Sequence, residues 1–259
     1  MNGFLFEQIV FGPVKSRRLG ISLGINLLPL NQKHCTFNCL YCECGWTLPD
    51  NKSNASYPAR SEVYQALELR LRAMKQKKSL LDTITFAGNG EPTLHPEFAG
   101  IIDDTIILRN SYYPEGRIAV LSNASLASEK EVAEALKKVD QNILKLDAGT
   151  NETFRLINNP AGQVHLDDIV ENLKQFSGNL IIQTLFVRGT HKGVSFDNTT
   201  DHEVSLWLQH IQMLQPKLVM IYPIARATPT EDVEKVPGDE LLSIAARVEA
   251  LGIPTEVYP

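Results

Sequence analysis

From Thr83 onward this chain of 259 residues alternates short apolar runs with amphipathic ones, and that rhythm limits its fold more than any other feature. The strand-like runs are TITFAG (83–88), RIAVLSNAS (117–125), NILKLDAG (142–149), LIIQTLFVRG (180–189) and KLVMIYPI (217–224). Helical patterns separate or follow them at 95–110, 128–139, 151–158, 166–176, 202–214 and 238–251. An earlier run, RLGISLGINLLPL (18–30), reads as a strand; a polar, proline-bounded loop over 48–59 then leads to a helix expected from about Ser61, capped by that serine. The run at 180–189 is the longest strand expected to be buried, and IPTEVYP (253–259) adds a weak seventh.

Strands alternating with helices call for parallel pairing through right-handed crossovers. Six good strand–helix units fall short of the eight that close a barrel. The expected architecture is therefore α/β: a partial, TIM-like (β/α)6 barrel, single domain, over 1–259. No linker, repeat or low-complexity tract divides the sequence. Parallel α/β folds bind ligands at the carboxyl ends of their strands, so the chemistry is expected just after each run.

All four cysteines fall within ten residues: Cys35, Cys39, Cys42 and Cys44. Such crowding fits metal binding better than disulfides. Three thiolates on one loop suit three irons of a cubane cluster, leaving the fourth iron open. A zinc site using Cys44 or His34 as fourth ligand draws on the same residues. It lacks the distant second ligand pair that structural zinc sites usually have, since no cysteine follows Cys44 and the later histidines stand singly.

The second chemical stretch, GNGEPTLHPEF (88–98), follows the run at 83–88. Gly88 and Gly90 allow close backbone approach to a ligand, Glu91 offers an acceptor for an ammonium group, and Pro92 stiffens the turn. A plain strand-to-helix turn with a solvated glutamate has the same composition. Asn123, Asp147 and Gln183 stand at or near strand ends, where polar side chains face a barrel mouth. Each also has a local reading, as helix cap, turn residue or backbone partner. Arg188, Arg226 and Lys145 are candidate partners for a substrate carboxylate or phosphate, or else ordinary ion-pair residues.

The cysteine loop over 34–45, with aromatic Tyr41 before its third cysteine, resembles that of the radical S-adenosylmethionine superfamily. Residues 88–91 resemble that family's GGEP motif, with Asn89 in place of the first paired glycine. The resemblance implies a [4Fe-4S] cluster on Cys35, Cys39 and Cys42, whose open iron chelates S-adenosylmethionine. One electron then cleaves the sulfonium to a 5′-deoxyadenosyl radical. It also implies cofactor contacts from Tyr41, Gly88, Asn89, Gly90, Glu91, Asn123, Asp147 and Gln183, with adenine near Tyr41 and the segment 222–224. A reductant such as flavodoxin or ferredoxin is expected as partner. Cys44 is expected to be a non-ligand.

Together, FGPVKSRRLGISLGINLLP, the cysteine loop and FAGNGEPTLHPEF resemble the branch holding the wyosine-type tRNA-modifying synthases and small relatives. The extra cysteines and RNA-binding segments of those synthases are missing. Net charge is −5, and the nearest thing to a basic footprint, KSRR at 15–18, reads as solvated surface or local ion pairing, so nucleic acid is disfavoured. Hydrogen abstraction from an unidentified small molecule is the favoured activity; a protein substrate, as for glycyl-radical activases, tRNA modification and a non-catalytic iron–sulfur electron carrier are the alternatives. The apolar runs are too short to span a membrane, and MNGFLFEQIVFG lacks a signal peptide's order, which predicts a cytoplasmic protein.

Overall fold

The apolar runs become strands with both faces covered, and the amphipathic runs become the helices that cover one of them. A computed structural model describes residues 3–47, 56–226, 228–230 and 232–259. The strands are β1 (Val10–Ser16), β2 (Gly20–Ile25), β3 (Thr83–Phe86), β4 (Arg117–Ser122), β5 (Gln141–Lys145), β6 (Ile181–Leu185), β7 (Val187–His191), β8 (Val194–Asp197), β9 (Leu218–Tyr222), β10 (Val233–Lys235) and β11 (Thr255–Val257). The helices are α1 (Arg60–Gln76), α2 (Phe98–Tyr112), α3 (Lys130–Lys138), α4 (Asn151–Ile157), α5 (Leu166–Leu173), α6 (Asp201–Leu214) and α7 (Gly238–Glu249).

Eight strands form one curled sheet in the order β1-β2-β3-β4-β5-β6-β9-β11, and every pair except β1–β2 is parallel. This is the expected partial TIM-like barrel, with β11 as its seventh parallel strand. The antiparallel edge β1, joined to β2 by a tight turn, was not among the expected strands.

Strand side chains alternate between faces, and the alternation divides the core in two. Ile118, Val120, Leu144, Ile182, Val219 and Ile221 join the main cluster with the helix residues. Leu19, Ala119, Ile143, Ile181 and Met220 form a smaller cluster on the inner face. Two residues further along β5, β6 and β9, the same inner face carries Lys145, Gln183 and Tyr222. The interior is thus plugged with apolar side chains towards one end and polar towards the strands' carboxyl ends.

The run at 180–189 is not one strand. It breaks at Phe186, and β7 leaves the barrel for a small antiparallel sheet, β10-β7-β8. Buried Asn198 fixes the break. Its amide donates to the carbonyls of Asp147 and Leu185 at 2.8 Å each, and its oxygen accepts from the Val187 N–H at 2.7 Å. Nor does Ser61 cap α1. That position belongs to Ala59, whose N–H donates to the Glu62 carboxylate at 2.7 Å. Residues 48–55 of the expected polar loop lie outside the described residues. No helix among the described residues is long and apolar enough to cross a membrane.

Candidate iron–sulfur and cofactor site

The cysteine loop follows β2 and is walled by two segments. On one side the His34 N–H donates to the Asn89 carbonyl at 2.8 Å, and the Glu91 N–H donates to the His34 carbonyl at 3.1 Å. On the other, the Asn38 and Leu40 N–H groups donate to the carbonyls of Asn159 (3.0 Å) and Ile157 (2.9 Å), and Ala161 N–H to that of Thr36 (2.8 Å). An irregular loop held by this ladder presents its sulfurs from a fixed backbone.

All four cysteines are free thiols, with Cys39 buried and the others half-buried. Lys33 is buried at 3 % exposure, and its ammonium donates to the Gly45 carbonyl at 2.8 Å. Burial works against that ammonium, but the nearby sulfurs of Cys42, Cys35 and Cys39 outweigh it and raise its pKa. Burial pushes the Cys35 thiol up to about 12 and moves Cys39 upward too. A hydrogen bond from Cys44, aided by the Lys33 ammonium, brings Cys42 down to about 5, and the same bond pushes Cys44 up.

Two of the sulfurs also have a fixed amide neighbour. Asn123 Nδ2 lies 3.6 Å from Cys35 Sγ and donates to Thr36 Oγ1 at 2.8 Å. Asn158 Nδ2 lies 3.5 Å from Cys39 Sγ and donates to Asp147 Oδ2 at 2.7 Å. Among the described residues, no three His, Cys, Asp or Glu side chains are gathered for a single metal ion. A cubane cluster makes a different demand, because each cysteine binds a different iron. Three thiol donors on one loop, sharing one buried cation, fit that demand.

The stretch 88–91 differs in detail from expectation. A Cβ on Gly90, where φ is +142°, would overlap the His34 carbonyl, and one on Gly88 would overlap the Asn26 side chain. These glycines admit the chain's own cysteine loop and its support. The side chain of Asn89 is wholly occupied: its amide donates to the Phe6 and Pro29 carbonyls (3.0 and 2.9 Å) and its oxygen accepts from the Phe6 N–H at 2.8 Å. It staples the N-terminal segment in place, and its N–H donates to Asn26 Oδ1 at 3.0 Å, which leaves for a cofactor only the backbone carbonyl that also accepts from His34.

Glu91, 2 % exposed, accepts from Thr93 N–H (3.1 Å), Thr93 Oγ1 (2.6 Å), Ser122 Oγ (2.8 Å) and Asn123 N–H (2.7 Å). Burial pushes its carboxyl upward, while these four donors favour the charged form. It therefore braces the end of β4 and, through it, Asn123. Asp147 is the hub of a second buried network. Its Oδ2 accepts from Tyr41 and Asn158 and pairs with Lys145 at 3.4 Å, while Oδ1 accepts from Leu185 N–H at 2.9 Å. Lys145 also lies 5.1 Å from the Tyr41 ring centre. Gln183 donates to the Tyr222 hydroxyl.

Beside the loop opens a cleft of about 1270 Å³, lined by Tyr41, Cys42, Leu185 and Tyr222 among others. A model of the Radical SAM superfamily matches residues 32–202, two thirds of the sequence. The chain belongs to the radical SAM superfamily. That family uses a [4Fe-4S] cluster and S-adenosylmethionine.

A GTPase Obg of Brachyspira hyodysenteriae is 30 % identical over 236 residues, covering 90 % of this chain and 32 % of that protein. A UPF0026 protein of Methanocaldococcus jannaschii is 32 % identical over 183 residues, covering 69 % of this chain and 54 % of the relative. This radical SAM chain thus spans about a third and about half the length of those two relatives. A radical SAM methyltransferase from Sphaerobacter thermophilus shares the fold, at 14 % identity and a TM-score of 0.66, over 92 % of this chain and 65 % of that one.

Two expected substrate contacts of this radical SAM chain are already paired with carboxylates. Arg188 pairs with Glu240 at 2.6 Å and lies near Glu234 and Asp197, which pins β7 to α7. Lys145 is held by Asp147. Arg226 does border the cleft, paired with Glu43 at 2.6 Å. Sequence reading passed over Lys33, Asn158 and Asn198. For Asn158 the Asn-Asn-Pro turn at 158–160 is a usable signal; a lysine two residues before Cys35 carries none, because its burial is decided by the fold.

Proposed function

We propose that the chain is an enzyme that cleaves S-adenosylmethionine reductively and takes a hydrogen atom from a small-molecule substrate. The observation that carries this reading is the gathering of Cys35, Cys39 and Cys42 around one buried lysine, on a loop whose Tyr41 and Cys42 line a large cleft at the barrel mouth. A volume of about 1270 Å³ exceeds the 300–1,000 Å³ or so of a typical small-ligand pocket, so it has room for a cofactor and a substrate together.

Cys35, Cys39 and Cys42 would hold the cluster as thiolates, with Lys33 offsetting their charge and Asn123 and Asn158 donating to sulfur. The backbone of Gly88–Glu91 and the side chains of Asn123, Asp147, Gln183 and Tyr41 would hold the cofactor; Glu91 acts by fixing Asn123. The apolar wall at Leu185 and Tyr222–Ile224 suits an adenine ring and keeps water out. When bound, the cluster supplies the electron that breaks a carbon–sulfur bond of S-adenosylmethionine, and the cofactor supplies the hydrogen-abstracting radical. A flavodoxin or ferredoxin is the reductant this chemistry calls for.

The test is anaerobic reconstitution, reduction with dithionite, and chromatography for 5′-deoxyadenosine. Wild-type protein is expected to form it, and Cys39→Ala to lose both cluster absorbance and product. An intact, reducible cluster that yields no product would instead favour an electron carrier.

A further inference from the structure

We infer that the substrate is an anion whose phosphate or carboxylate group docks on Arg18 inside the cleft. The inference rests on the reading above only in taking that cleft as the substrate site. The chain as a whole carries a net charge of −5, yet among the described residues the cleft is bordered by Lys15, Arg17, Arg18, Arg226 and Lys235, against the one carboxylate of Glu43. A cleft charged against its own protein concentrates ligands of the opposite sign.

Most of these cations have an evident occupation. Arg226 is paired with Glu43, Arg17 donates to the Pro259 carbonyl at 2.6 Å, and Lys15 and Lys235 are exposed. Arg18 differs. Its guanidinium lies over the Tyr222 ring, 4.6 Å from the centre, and the Tyr222 hydroxyl is held by Gln183. Its Nη1 is buried and has no hydrogen-bond partner among the described residues. An unsatisfied buried donor on a charged group is costly and rarely kept without a use. A guanidinium held over a ring by cation–π attraction keeps its edge donors for a planar or tetrahedral oxyanion.

The placement separates this group from the thiols by origin. Arg18 precedes β2 and the cysteine loop follows it, and six extended residues span about 20 Å. The guanidinium then reaches back along the interior to Tyr222 at the strands' carboxyl ends. It lines the same cleft as Tyr41 and Cys42 of the cysteine loop, so one substrate can face both.

The test uses inorganic phosphate and succinate as probes, titrated calorimetrically into the reconstituted protein with and without S-adenosylmethionine. At least one probe is expected to bind with the cofactor present. Arg18→Ala should weaken that probe about tenfold or more while leaving S-adenosylmethionine affinity unchanged, and Arg18→Lys should recover only part of the loss. Tighter phosphate marks a phosphoester substrate, and tighter succinate a carboxylate. In wild-type protein, where folding is not in question, the bound probe should also shield Arg18 from phenylglyoxal, read by peptide mass spectrometry. No binding of either probe, no shielding of Arg18, or equal loss of probe and cofactor in Arg18→Ala overturns the inference. Product 5′-deoxyadenosine without anion binding would sink only the inference; anion binding without that product would sink only the radical reading.

Discussion

At the scale of single residues, the site is held by side chains that touch sulfur or that fix those which do. Asp147 shows how much rests on one carboxylate. Its side chain is fully buried and accepts from Tyr41, Asn158 and Leu185 while pairing with Lys145. Asp147→Ala leaves the half-buried Lys145 ammonium without its counter-ion and strands the Asn158 amide and Leu185 N–H, which together cost about 3 kcal/mol. Urea denaturation should show that loss as a lower midpoint at unchanged slope; a change within about 0.5 kcal/mol would mean that the network carries no weight. Gly90→Ala presses a Cβ onto the His34 carbonyl, which is backbone and cannot swing away. Iron loading after reconstitution should fall in parallel with a stability loss of about 3 kcal/mol. Full loading by Gly90→Ala would show that the loop moves aside freely.

The three thiols were legible in sequence because their spacing is itself a ligand pattern. The job of Asn89 was not. A motif with one glycine replaced by asparagine says that something differs, but only the fold brings the Phe6 and Pro29 carbonyls to that side chain.

At the scale of elements, apolar runs and helical patterns located nearly every strand and helix, because burial on a parallel sheet leaves a continuous signature. They did not locate where a strand changes sheet. LIIQTLFVRG is apolar almost throughout, so its pattern is the same whether the strand continues or breaks at Phe186. The break is decided by Asn198, more than ten residues downstream, which satisfies three buried backbone groups. Asn198→Ala strands all three, and about 3 kcal/mol of stability should go with them. Hydrogen exchange at the Val187 amide should accelerate; protection equal to wild type would show that β7 is held off the barrel by other contacts. The β1 edge escaped notice for a related reason. Only one of its seven residues is buried and its pairing shifts register between Phe11 and Val14, so it lacks the burial pattern by which strands are read.

At the scale of the whole molecule, eight curled strands leave a gap between the edges β1 and β11 where a closed barrel would have a wall. That gap opens the interior as a cleft, with apolar filling towards one end and Cys42 of the cysteine loop at the mouth. Fold, cleft and cysteine loop therefore form one device, and its central claim is that three protein sulfurs leave an iron free for the cofactor. Electron paramagnetic resonance of the dithionite-reduced, reconstituted protein tests this without any knowledge of the substrate. Adding S-adenosylmethionine should alter the g-values of the reduced cluster in wild-type protein, and Cys42→Ala should show no such change. A wild-type spectrum identical with and without the cofactor would mean that no iron stands open to it, and the radical reading would fall.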